Sequence, residues 1–236
     1  MDISKVRILV SAIQKLSLAR DLDRIMDIVR RSARQLVGAD GATFVLKEGE
    51  KCYYADEDAI SPLWKGQKFP ISACISGWCM INKKFVVIED IYNDERVPIE
   101  AYRPTFVKSL AMVPIRTINP VGAIGVYWAK LHSPTDEDVE VLQSLADITS
   151  VSIENVFVYE ELKEQNKILY DIAFLQSHQV RVPVAQLKGL FELINFDDLS
   201  FEKNSEIFER IKITVDSFDK TILEITEMSS KIKYYQ

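Results

Sequence analysis

The residues best equipped for chemistry are His178, Gln179, Arg181 and Pro183, in the hexapeptide His178-Gln179-Val180-Arg181-Val182-Pro183. A neutral imidazole is a nucleophile near physiological pH, so a histidine carried on a helix is a candidate acceptor in covalent group transfer. Pro183 has no N–H to offer the carbonyl of Gln179, and its ring crowds that carbonyl. The spacing therefore predicts a helix that bends just past the histidine. Gln179 can orient the imidazole by hydrogen bonding but is no general base. The competing reading is an ordinary exposed helix histidine. Of the other reactive side chains, Cys52, Cys74 and Cys79 lack the paired spacing of a structural zinc site, and no metal is expected. His132, in Leu131-His132-Ser133-Pro134, reads as a surface residue before a helix, and a haem ligand is not expected from it.

A helix must carry the hexapeptide, and the sequence supplies one. Thr135-Asp136-Glu137-Asp138 is a capping box, and helix formers run from there almost without glycine or proline to Pro183. Ile148, Val151, Asn155, Val158, Leu162, Gln165, Leu169, Ile172 and Gln176 alternate in steps of three and four, which predicts a parallel two-chain coiled coil. Asn155, Gln165 and Gln176 weaken that seam; they either fix register in a connector that can shift, or mark a poorly packed stretch. His178, two positions past Gln176, falls on the outer face of the pair. Asn195-Phe196-Asp197-Asp198 breaks the helix, with Asn204 or Ser205 expected to cap the next. Ile207, Ile211, Thr214, Phe218, Ile222, Ile225 and Ser229 then mark a second amphipathic helix. Two such hairpins close most simply as a four-helix bundle in a homodimer.

The first half reads differently. Helical spacing over Ile3–Leu16 and again over Leu22–Leu36 gives way to turn residues at 38–41 and to strands near 42–46, 51–55, 85–88, 110–116 and 122–128. Strands bracketed by helices argue an α+β domain. On the last strand Ile124, Val126 and Trp128 share one face, and Ala123, Gly125 and Tyr127 the other. Small residues there leave room for a ligand or let a helix pack closely.

Ile75-Ser76-Gly77-Trp78, Val87-Ile88-Glu89-Asp90-Ile91 with Asp94 and Arg96, Leu110–Ile115, and Val121-Gly122-Ala123-Ile124-Gly125-Val126 together give the first half a sequence that resembles the GAF domain. The resemblance covers roughly residues 20–155 and implies a central antiparallel sheet of five or six strands with a small-molecule pocket. Trp64, Phe69, Trp78, Tyr102 and Gly125 fall where the family lines that pocket, although such aromatics also close a core. The hexapeptide, with Val184-Ala185-Gln186-Leu187 after it, resembles the phosphoacceptor box of sensor histidine kinases, in a dimerisation and histidine-phosphotransfer domain over roughly residues 156–236. That resemblance implies His178 as acceptor, with an ATP-binding kinase domain and a response-regulator receiver domain as partners. The family's acidic residue after the histidine is Gln179 here, and its phosphatase motif ends where this chain has Val182; slow phosphorylation and poor phosphatase function are the expectation. Two alternatives stay open, a hairpin that only dimerises or docks a partner, and a free-standing phosphotransfer protein.

The expected organisation is a GAF-like sensory domain with its N-terminal helix over 1–154 and a signal helix with hairpin over 155–236. No glycine-rich phosphate loop occurs in the 236 residues, so ATP enters only through another domain, and no resident cofactor is expected. A net charge of −6 without a dense basic patch argues against nucleic acid. The absence of a long apolar run argues against a membrane span. Three cysteines without framework spacing fit reduced thiols in the cytoplasm.

Overall fold

The computed structural model describes residues 2–116, 118–175, 179–194 and 201–233. It divides into two compact units, Met1–Val158 and Tyr159–Gln236. In the first, α1 (Ile3–Ser17) and α2 (Leu22–Val37) precede the sheet. Asp2 and Asp21 accept the first-turn amides of these helices, and Gly38 ends α2 at a left-handed φ of 59°. The strands are β1 (Gly41–Glu48), β2 (Lys51–Ala59), β3 (Lys68–Pro70), β4 (Val86–Ile88), β5 (Ser109–Ile115) and β6 (Gly122–Trp128). They form one sheet in the order β3-β2-β1-β6-β5-β4, with every pairing antiparallel. Short helices α3 (Ile75–Asn82) and α4 (Ile99–Tyr102) lie between strands.

The sheet separates two cores. Ile124, Val126 and Trp128 of β6 pack with residues of α1, α2 and the long helix α5 (Asp136–Phe174), while Ala123 and Tyr127 pack with α3 and the loops of the opposite face. The alternation along this strand therefore sorts its side chains as the sequence pattern expects. β2 runs past Ala55 because a bulge opposite Phe44 and Val45 leaves Ala55 without a partner. The extra residue turns the following side chains over. Asp56 and Asp58 reach Arg30 and Arg34 of α2, and Glu57 reaches the loop on the other face.

Helix α5 (Asp136–Phe174) starts as the capping box predicts: the Thr135 hydroxyl and amide both donate to Asp138 Oδ2, at 2.8 and 2.9 Å, and the Asp138 amide donates back to Thr135 Oγ1. The second unit contains α6 (Arg181–Glu192) and α7 (Phe201–Lys233), which pack on one another. Pro183 sits in the first turn of α6, where a missing N–H is no loss, and the stretch just past Phe174 where the bend is expected includes residues 176–178, outside the described residues. One expectation is corrected here. The helix expected to be capped by Asn204 or Ser205 already begins at Phe201, which places Asn204 inside its first turn, where it is buried. The expected break at Asn195–Asp198 lies outside the described residues. No helix among the described residues is long and apolar enough to cross a membrane.

Candidate functional site

On the face of the sheet away from α2, aromatic side chains gather around Trp64. Its ring lies edge-on to Tyr102 at 4.7 Å, to Tyr54 at 5.5 Å and to Tyr127 at 5.5 Å, and Tyr54 in turn meets Phe69 at 5.4 Å. Such tilted pairings suit rings whose faces are negative and edges positive. Three devices hold the cluster. The carboxylate of Glu57 accepts the amides of Leu63, Trp64 and Lys65 at 2.9–3.0 Å, which fixes the loop carrying Trp64. The indole N–H of Trp64 donates to the Ala101 carbonyl at 3.0 Å, tying that loop to α4. Tyr54 and Tyr127 place their hydroxyls against Ser76 (3.2 Å) and Thr43 (2.9 Å). Burial pushes the phenols of Tyr54, Tyr102 and Tyr127 above the ordinary tyrosine range, so Tyr54 and Tyr127 enter these bonds as neutral hydroxyls.

The space enclosed by Tyr54, Trp64, Phe69, Cys74, Pro98, Ala101 and Tyr102 is only about 10 Å³, no more than one water would need. Gly125 does not open it. A Cβ there would stand 2.5 Å from the Tyr127 hydroxyl, 2.8 Å from Met112 Cε and 2.9 Å from Thr43 Oγ1, so the room that glycine leaves is taken by the chain's own side chains. The three atoms nearest that position belong to the strands β6, β5 and β1, and not to a helix packed across the sheet. Trp64, Phe69, Tyr102 and Gly125 belong to this region. Trp78 packs against the edge of the same core, with the Arg96 guanidinium 4.7 Å from its ring and Asp94 bonded to Arg96. Sequence reasoning missed Tyr54, Tyr127, Thr43 and Glu57. The alternation Cys52–Tyr54 on β2 was the available signal for Tyr54; Glu57 had none, since the bulge sets its direction.

Thiols lie beside the aromatic cluster. Cys74 lines it and caps α3; Cys52, on β2, pairs in register with Phe69. Cys79 is sealed inside α3, donating to the Met112 carbonyl at 3.7 Å, and burial pushes its thiol up to about 12. Among the described residues no three His, Cys, Asp or Glu side chains gather as a metal site would require. His132 is half-buried, its ring tilted against Trp128 with centroids 4.4 Å apart.

In the second unit, His178 lies outside the described residues. Gln179 and Arg181 are exposed and Pro183 is buried. The amide of Val180 donates to the carbonyl of Leu175 at 3.2 Å, a bond reaching back five residues.

The family model of the GAF domain matches residues 19–154. No curated protein matches the chain in sequence. Among solved structures, the GAF domain of a phosphoenolpyruvate-protein phosphotransferase from Acinetobacter is similar at 15% identity and a TM-score of 0.59, over 68% of this chain and 99% of that one. Free methionine-R-sulfoxide reductase from Neisseria meningitidis, solved with its substrate, is similar at 16% identity and a TM-score of 0.58, over 66% of this chain and 91% of that one. The GAF-B domain of DevS from Mycobacterium smegmatis follows at 17% and 0.51, over 60% and 99%. At these identities the likeness is one of fold.

Proposed function

The chain belongs to the GAF domain family, and from that premise we propose that residues 19–154 are the sensory input of a signalling protein whose helical region carries the output. The observation that carries this reading is the aromatic cluster around Trp64. It rests on a loop and the four-residue helix α4, elements that can be displaced without breaking the sheet, so a small apolar or aromatic molecule entering there would exchange contacts with Trp64 and Tyr102. Helix α5 packs on the opposite face through Val141, Leu142, Leu145 and Ala146, and the same helix continues to Phe174.

The output we propose is phosphoryl acceptance at His178. A ring nitrogen attacks the γ-phosphorus of ATP held by a nucleotide-binding domain; the N–P bond forms, the P–O bond to ADP breaks, and the imidazole proton leaves to solvent. The phosphoryl group then passes to a carboxylate of a receiver domain. The hexapeptide supports this, as do exposed Gln179 and Arg181 ahead of a buried Pro183 at the start of α6. A second reading, in which the hairpin only dimerises or docks a partner, is favoured by Gln179, which removes the base, and by Val182. Incubating the full chain with a histidine-kinase catalytic domain and γ-labelled ATP separates the two. Phosphotransfer gives an acid-labile label that His178→Ala abolishes. No label, or one that survives the substitution, leaves docking as the function.

A further inference from the structure

The sheet face that carries α2 and α5 has a hollow of its own. Leu22 of α2, Leu46 of β1, Pro120 and Val121 just ahead of β6, and Ile153 and Phe157 of α5 line it. It measures about 370 Å³, against about 10 Å³ beside Trp64. Leu22, Leu46, Val121 and Ile153 also pack on the core of this face, whereas Phe157, one turn past Ile153, is 60% exposed. Charge is confined to the exposed residues Lys47 and Glu48, and Glu48 is paired with Lys68 at 2.5 Å. The Lys47 amide donates to the Val121 carbonyl at 2.9 Å, so the backbone there is bonded to itself. Water against these side chains finds few of the two to four polar partners it needs. From this hollow we infer that the first unit has a second ligand site, for an uncharged apolar molecule of about a dozen non-hydrogen atoms, beside the last turns that α5 contributes to that unit.

Size selects the occupant. Small-molecule pockets hold roughly 300–1,000 Å³, and this hollow falls inside that range. At the roughly 30 Å³ that a water takes in the liquid, it has room for about twelve such volumes, which sets the length of the ligand. Eight residues line it, whereas a stable protein interface uses about 20–30 on each side. Lys47 and Glu48 carry opposite charges, so the rim selects neither an anion nor a cation, and the affinity comes from apolar area removed from water. Occupancy acts on α5 directly. Ile153 and Phe157, four residues apart, share one face of the helix, and a molecule between them and Leu22 and Leu46 joins α5 to α2 and β1. The next residue, Val158, belongs to the exposed seam. The site lies across the sheet from the aromatic cluster, and it stands whether or not that cluster admits a ligand or His178 accepts a phosphoryl group.

The test titrates the full chain, labelled at the methyl groups of Ile, Leu and Val, with 1-decanol below its solubility limit and follows the methyl NMR signals. Leu22, Leu46, Val121 and Ile153 should shift together and saturate at one alcohol per chain, while Leu63, Ile71 and Val107 of the opposite core stay still. Leu46→Trp puts bulk into the hollow and should weaken binding at least about tenfold. Should that variant lose its folded spectrum, Phe157→Ala, at an exposed position, removes one wall and should weaken binding several-fold. Three results overturn the site on the wild-type chain alone: no saturable shift at the four methyl positions, saturation at the opposite core instead, or the same shifts produced by raising protein concentration without alcohol, which would mean that a second copy fills the hollow. Unchanged affinity in a folded Leu46→Trp overturns it as well.

Discussion

The hydroxyl of Tyr127 reaches back across Gly125 to meet Thr43 on the neighbouring strand, and both partners are fully buried. Their value lies less in the bond itself than in what each would cost alone, because an unpaired buried hydroxyl keeps its desolvation penalty. Tyr127→Phe should therefore lower the stability of the first unit by about 1–2 kcal/mol, read from chemical denaturation. Adding Thr43→Val should return much of that loss, since both polar groups are then gone. A double variant as unstable as the sum of the two singles would show that the hydroxyls are not a pair. The facing of Tyr127 was legible in the alternation of β6, and so was the glycine beside it. Their combination was not, because it depends on Thr43 being the register partner of Gly125, a fact of strand pairing between residues 82 apart in sequence.

At the scale of elements, β2 shows where pattern reading stops. Its first residues alternate cleanly, but the bulge at Ala55 reverses the phase, and the strand expected to end near residue 55 runs on through Asp56-Glu57-Asp58 to Ala59. β3 was missed for a related reason: three residues ending in proline carry no period. Helix starts, by contrast, are local hydrogen-bond chemistry, and the caps at Asp21 and Thr135 stand where the residue types place them. The reversal at Ala55 aims Asp56 at Arg30 of α2, with Lys65 closing from the loop. Burial works against the Asp56 charge, but Lys65, Arg30 and the Glu57 amide outweigh it and hold the carboxyl below its ordinary value of 3.8. Asp138 is lowered in the same way, its burial outweighed by Lys5 and Thr135. A carboxyl depressed in the folded state contributes stability above its unfolded value, and that contribution is lost as pH falls through the folded one. Stability should therefore drop as pH is taken below about 4. Asp56→Asn should cost about 1 kcal/mol at neutral pH, the modest figure reflecting a clamp partly open to solvent, and the cost should shrink in acid. A deficit unchanged at low pH would mean that the carboxylate charge is not what ties α2 to β2.

The whole molecule poses a question that one chain does not answer by itself: what covers the stripe on α5. Val151 is 54% exposed, Val158 62%, Leu162 53% and Leu169 52%, all on the seam whose spacing predicts a parallel pair. Single exposed apolar residues are ordinary, but a stripe at heptad spacing on a 39-residue helix is not. A second copy of the chain would supply a matching stripe at the same register, and Gln165 within the seam would be paired with its own image, favouring one alignment. The signal transfer proposed above would use the same arrangement, in which the exposed part of α5 gains a partner against which to shift. Leu162→Glu with Leu169→Glu should therefore weaken self-association at least about 100-fold, or about 2.7 kcal/mol, in sedimentation equilibrium. The first unit should keep its fold, since both positions belong to the second. A wild-type chain that sediments as a monomer, or a double variant that associates as tightly as the parent, would assign the stripe to a different protein and remove the dimer from the mechanism.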